Sequence, residues 1–202
     1  MLFASKIFSP NEEARGWLGL KYGEKYCIIR FVSWKATHDI GEKGFSPEDK
    51  IQLVKRLTSI LRVFITSQEA LPEAFQQYQI KIPPQLLHHA LAFAEIVISE
   101  GATIASESGL LGSPAIYCST IASSYLEDQE KYGTVYNYRS GNGIFQKIEK
   151  IMQEDKKLFK VRSEKLLSDK IDVTAFMVWF VENYPQSFRT MKEDPDYQLK
   201  FK

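Results

Sequence analysis

Cysteine is scarce in this chain of 202 residues: there are two, Cys27 and Cys118, each inside an apolar run. Thiols so placed exclude a disulfide scaffold and match no metal-ligand spacing, so they read as buried free thiols of a reducing compartment. Histidine is nearly as rare, and two of the three, His88 and His89, are adjacent. Neighbours on a helix point in different directions, so this pair cannot grip one ion as an i, i+4 pair would, and a structural role is expected. No metal or cofactor is expected. An excess of charge of one sign is also missing, because 26 basic side chains face 25 acidic ones. A net charge of +1 gives no reason to expect nucleic acid or an acidic membrane as partner. No apolar run is long enough to span a bilayer, and the start "MLFASKIFSPNEEARG" lacks the apolar core of a signal peptide. A cytoplasmic location is the expectation. Repeats and low-complexity segments are lacking too.

What remains is ordinary globular material, 44% apolar and 25% charged, with length enough for a substantial core. From Lys25 the run "KYCIIRFVSW" suits a buried strand. "SPEDKIQLVKRLTSI" follows as a helix, with Ser46 as its cap, Pro47 at its first position and Asp49 three residues after the cap. "LRVFITS", "QIKI", "EIVIS", "PAIYCS" and "TVYNY" read as further strands, separated by helix-like stretches that Gly112 and Gly133 can end. This alternation predicts a doubly wound, Rossmann-like parallel sheet of about six strands. After Gly143 only helices follow, with the lysines from Lys147 to Lys165 interleaved with acidic residues as a solvated surface. The expected organisation is a linker-like segment over 1–24, the sheet domain over 25–143 and a helical C-terminal annex over 144–202.

In open α/β sheets, ligands bind beyond the carboxyl ends of the strands. "SEGATIASES", residues 99–108, stands at such an end. Small residues at Gly101, Ala102 and Thr103 let backbone N–H groups approach a ligand, and the helix that follows offers unpaired N–H groups and a positive dipole end. Thr103 and Glu107 share a helix face. A hydroxyl at the start of the helix can reach a phosphate oxygen, and a carboxylate one turn later can accept two hydrogen bonds from a ribose diol. The same residues also serve as plain strand–turn–helix architecture. "SWKATHD" after the first strand puts Ser33, Lys35, His38 and Asp39 at the same edge. Ser33 is a candidate phosphate contact there. Lys35 and His38 are weaker candidates to neutralise a diphosphate, or His38 with Asp39 an oriented base, against a reading in which Asp39 only caps a turn. Ser67, ending the second strand, is a weaker phosphate contact of the same kind as Ser33.

"HHALAFAEIVISEGATIASESGLLGSPAI" resembles the nucleotide-binding segment of GT-B glycosyltransferases and non-hydrolysing UDP-N-acetylglucosamine epimerases. "KYCIIRFVSWKATHD", "KIPPQLLHHALAFA" and "KIDVTAFMVWFVENYP" resemble more closely an uncharacterised prokaryotic family of that two-domain architecture. The resemblance corresponds to the C-terminal half of such proteins and makes "FSPNEEARGWLGLKYGEKY" similar to the inter-domain linker. It implies that Gly101–Thr103 hold the diphosphate of a nucleotide-sugar, Glu107 the ribose hydroxyls, and backbone groups near Ile82 the base. It also implies no metal. The departures are Ala102 in place of a second glycine, Glu95 in place of an aspartate before the strand, and Ser108 after the ribose-binding glutamate. The implied function is a UDP-sugar-binding donor half that lacks the N-terminal acceptor domain and does not catalyse alone. The alternatives are a non-catalytic α/β interaction or scaffold module and a nucleotide-dependent regulator. The helix "AFMVWFVENYPQSF" is apolar nearly all round, which leaves Trp179 and Phe180 as a surface for a homodimer or a separately encoded N-terminal domain.

Overall fold

The computed structural model describes residues 8–34 and 41–202. Residues 10–163 form one compact unit, and residues 164–202 with 8 and 9 form a second.

The first unit is built on five parallel strands: β1 (Tyr26–Phe31), β2 (Arg62–Ser67), β3 (Ile96–Ser99), β4 (Ala115–Cys118) and β5 (Val135–Tyr138). Their spatial order is β2-β1-β3-β4-β5. β1 shows why these runs are strands. Cys27, Ile29 and Phe31 enter the core on one face of the sheet, and Tyr26 and Ile28 enter the core on the other. A strand covered on both faces must be apolar at odd and even positions alike, and β-branched residues suit that surface. The Tyr26 hydroxyl donates to the Ala90 carbonyl and so keeps its polar end satisfied in the core.

The predicted strand "QIKI" shrinks to one parallel bridge, Gln79 beside Ile65 on the outer edge of β2. Ile65 N–H donates to Tyr78 O at 2.7 Å and Ile80 N–H to Ile65 O at 2.9 Å. The short α3 (Glu73–Gln76) on one side and Pro83–Pro84 on the other leave too little chain to pair further. The sheet therefore has five strands rather than six.

Helices cover both faces; α1 (Ala14–Trp17) precedes β1, and α8 (Lys156–Asp169) is the second helix after β5. α2 (Pro47–Thr58) packs Leu53, Val54 and Leu57 against the first face, joined by Ile144, Ile148 and Ile151 of α7 (Ile144–Gln153). α4 (Leu87–Phe93), α5 (Ala102–Leu110) and α6 (Ser124–Lys131) pack Ala90, Leu91, Ala105 and Leu126 against the second. The start of α2 is the capping box expected from its sequence. Ser46 Oγ accepts from Asp49 N–H at 3.0 Å, and Asp49 Oδ2 accepts from Ser46 N–H at 3.3 Å. Such a cap contributes about 1 kcal/mol.

The chain runs outward from β1 to β2 and the bridge, then returns to the opposite side of β1 as β3. The helix after β1 lies on one face of the sheet and the helix after β3 on the other. The strand order therefore reverses between the carboxyl ends of β1 and β3, the point at which open α/β sheets form a ligand crevice.

In the second unit α9 (Val173–Glu182) is capped by Asp172, whose side chain accepts from Ala175 N–H at 2.9 Å. A turn at Pro185 separates it from α10 (Gln186–Glu193), and a 3-10 segment, Pro195–Phe201, closes the unit. Trp179 stacks on Tyr197 with ring centroids 4.7 Å apart, and Phe176 meets Phe201 edge-on at 5.6 Å. Trp179 and Phe180 are thus half-buried, while Met177, Val178 and Val181 stay exposed. Among the described residues no helix is long and apolar enough to cross a membrane.

Candidate ligand-binding crevice

Gly101 is the N-cap residue of α5, with φ −99° and ψ 127°, and no side chain caps the helix. The first N–H groups of α5 therefore keep their capacity to bind an anion. Ser99 holds the turn in place: its hydroxyl accepts from Gly101 N–H at 3.0 Å and donates to Gly101 O at 2.6 Å. A Cβ at Gly101 would meet only ordinary contacts, 3.5 Å from Val32 Cγ2 and 3.6 Å from Ser99 Oγ. The protein itself does not demand a glycine there, although a ligand on the helix end would feel the added carbon.

Thr103 is exposed at the start of the helix, with the half-buried Glu107 one turn further on the same face. Glu107 Oε2 lies 3.0 Å from His88 Nε2 of α4. His88, expected to be structural, is thus in contact with the carboxylate that the sequence reading assigned to a ribose. The packing of α4 against α5 brings them together.

Glu100 stands at the sheet edge that the sequence indicates, but the sequence assigns it no role. Its side chain is completely buried. One carboxylate oxygen accepts from Val32 N–H at 2.8 Å, the other from Phe45 N–H at 2.9 Å, and Lys50 Nζ lies 3.1 Å from both. The two ends of the β1–α2 connection are therefore tied to one carboxylate at the floor of the crevice, and a lysine from α2 balances its charge. Gly44 completes the fit, since a Cβ there would come within 2.8 Å of Glu100 and of the Trp34 ring.

Ser33 lies at this edge, where its hydroxyl donates to Gln68 Oε1 at 3.2 Å. Ser67 Oγ accepts from Glu69 N–H at 3.2 Å, a local turn contact. Ile82 is half-buried and packs with Leu87, Ala102 and Ile104 against the core on the α4–α5 face. Lys35 and His38, with Asp39, lie outside the described residues. Among the described residues no group of three or more His, Cys, Asp or Glu could hold a metal ion.

A further cation belongs to this edge. Arg30, on β1, stands beside Thr66 of β2 and Ser99 of β3. Its Nη1 donates to Thr66 Oγ1 at 2.8 Å. A cleft of about 460 Å³ lies elsewhere, at the amino-terminal end of β2, lined by Trp17, Arg62, Tyr78, Gln79 and Lys81 among others. None of the candidate site residues lines it.

No family model matches the chain, and no curated protein matches it. Solved structures do. A glycotransferase of kitacinnamycin is 8% identical with a TM-score of 0.47, over 72% of this chain and 40% of that one. A UDP-N-acetylglucosamine 2-epimerase is 13% identical with a TM-score of 0.46, over 76% of this chain and 40% of that one. A UDP-GlcNAc 2-epimerase from Neisseria meningitidis, bound to UDP-GlcNAc, is 13% identical with a TM-score of 0.41, over 97% of this chain and 43% of that one. The chain thus spans about two fifths of the length of the structures it matches.

Proposed function

We propose that the crevice binds a nucleoside diphosphate-sugar, most readily a UDP-sugar, as the donor half of a GT-B-type glycosyltransferase or epimerase whose acceptor side another domain supplies. One observation carries this reading. At the point where the sheet order reverses, the uncapped N-terminus of α5 is followed one turn later by the half-buried Glu107. The diphosphate sits on the N–H groups of Ala102 and Thr103, with the Thr103 hydroxyl beside it. The ribose hydroxyls donate to Glu107, and the base lies toward the Ile82 segment. Ser33 flanks the diphosphate from the β1 side.

Fixed donors aimed at the leaving group would stabilise charge that develops as the glycosidic bond to the diphosphate breaks. The donor half alone binds without completing the reaction. Calorimetric titration with UDP, UDP-N-acetylglucosamine and UMP tests this, repeated on Glu107→Ala. The expected result is saturable binding that Glu107→Ala weakens by about 1.5–3 kcal/mol, the scale of a charged hydrogen bond. No saturation at millimolar UDP, from protein whose circular dichroism shows it folded, refutes it. A second reading, a module that works by association with a partner or a second copy, is favoured by Met177, Val178 and Val181 exposed on α9. Sedimentation velocity that shows a monomer over a hundredfold concentration range would remove its self-association form.

A further inference from the structure

We infer that the cleft beside β2 is a docking groove for an extended, acidic peptide segment of another protein, which adds to the open edge of the sheet at Val63. β2 is an outer strand, paired in parallel with β1 alone among the five. Arg62 N–H donates to Lys25 O, so Arg62, Phe64 and Thr66 turn their backbone groups to β1, and Val63, Ile65 and Ser67 turn theirs outward. The outward groups of Ile65 are both taken, its N–H by Tyr78 O at 2.7 Å and its carbonyl by Ile80 N–H at 2.9 Å. Those of Val63 have no partner among the described residues. The chain that covers Ile65 comes straight from α3 and does not reach Val63, because Tyr78 N–H and Gln79 N–H are bound to the Phe75 and Gln76 carbonyls. Val63 lines the cleft of about 460 Å³ and is itself only 3% exposed. A recessed N–H and carbonyl are costly to leave unpaired, and one residue of an added strand satisfies both.

The walls of the cleft select the occupant. Arg62 and Lys81 line it and no Asp or Glu does, and among the described residues neither cation has an ion-pair partner. Trp17 and Leu61 add apolar surface. Successive side chains of a strand point to opposite faces, so acidic residues meet the cations while an apolar one lies against Trp17. The volume is that of a pocket for a drug-sized ligand, which suits a few extended residues and not a folded surface. A second copy of this chain is disfavoured, because edge pairing about a two-fold axis brings two Arg62 side chains together. The groove lies at the amino-terminal end of β2, so it stands whether or not the crevice at the carboxyl ends takes a nucleotide-sugar.

The test is an amide NMR titration of the full chain with the acetylated, amidated pentapeptide Glu-Val-Glu-Val-Glu and its counterpart Lys-Val-Lys-Val-Lys. Two N-methylated forms of the acidic peptide accompany them, one blocked at both valines and one at the central glutamate. The expected result is saturable binding of the acidic peptide with a dissociation constant of about 0.1–1 mM, read as a shift of the Val63 amide, and none of the lysine peptide. One N-methylated form loses affinity by about tenfold or more and the other keeps it, because only alternate N–H groups of an added strand face its neighbour. Arg62→Met and Lys81→Met each weaken binding about 2- to 5-fold, the scale of an exposed ion pair. Saturating UDP leaves the peptide affinity unchanged. Equal binding of the two N-methylated forms, equal binding of the lysine peptide, or unchanged affinity in both cation variants overturns the inference. So does competition by UDP, or no saturation at millimolar peptide from protein whose circular dichroism shows it folded. Sedimentation velocity that shows a dimer which the acidic peptide dissociates assigns the edge to a second copy and also overturns it.

Discussion

Lys50→Met removes the only side-chain cation among the described residues in contact with the buried Glu100. Two unit charges 3.1 Å apart attract by roughly 5 kcal/mol at an effective dielectric near 20. The variant does not lose all of it. Glu100 keeps the N–H groups of Val32 and Phe45, and methionine refills the space of the lysine stem beside Phe31, where Lys50 Nζ now lies 4.7 Å from the ring centre. A net loss of about 3 kcal/mol is expected, the lower end of what breaking a buried pair costs. Equilibrium urea unfolding measures it, with Trp34 fluorescence as a local reporter, since that ring lies beside Gly44 and Glu100. The decisive comparison is the double variant Lys50→Met, Glu100→Gln, which removes both charges. Charge compensation predicts that the double variant regains more than about 1 kcal/mol over Lys50→Met alone. A single variant within about 0.5 kcal/mol of the parent would refute the argument, as would a double variant no more stable than the single.

Three further predictions follow from the same geometry. Gly44→Ala should cost about 1–3 kcal/mol through overpacking against the pinned Glu100, whereas Gly101→Ala should leave stability level or slightly raised and yet weaken UDP binding; urea melts and calorimetry check both, and equal effects at the two sites would contradict the contacts. Burial, reinforced by the Glu100 and Asp49 carboxylates, pushes the Cys118 thiol up to about 12 from an ordinary value near 9. The folded state keeps that proton where the unfolded thiol releases it, so the contribution is full below pH 9 and lost as pH rises toward 12, by about 1.4 kcal/mol per pH unit. Cys118→Ala should flatten the alkaline slope of stability by that amount, and an unchanged slope would count against it. Ser46→Ala should cost about 1 kcal/mol in urea unfolding by removing half of the capping box, and a neutral result would mean water replaces the cap fully.

The strands of the sheet were legible in the sequence because each is buried on both faces, and such strands must be written in β-branched and aromatic residues. The start of α2 was legible because a capping box is local chemistry within four residues. "QIKI" misled because pairing at a sheet edge depends on how much chain its neighbours leave, which composition does not express. The turn at Gly101 and the helix it opens were readable, but the charges around them were not. Glu100 reaches Val32 and Phe45 across 68 and 55 residues, and no spacing rule announces such contacts. His88 meets Glu107 only because α4 packs on α5. Arg30 did carry a signal: a charge inside an otherwise apolar six-residue strand is expensive and has to be explained.

The carboxylate of Glu100 holds both ends of the segment between Val32 and Phe45. Chain between two fixed points contributes to folding mainly through the entropy of closing it, which grows by only about 0.6 kcal/mol for each doubling in length. A change in that chain's length is therefore cheap for the fold so long as Val32, Gly44 and Phe45 keep their places around Glu100.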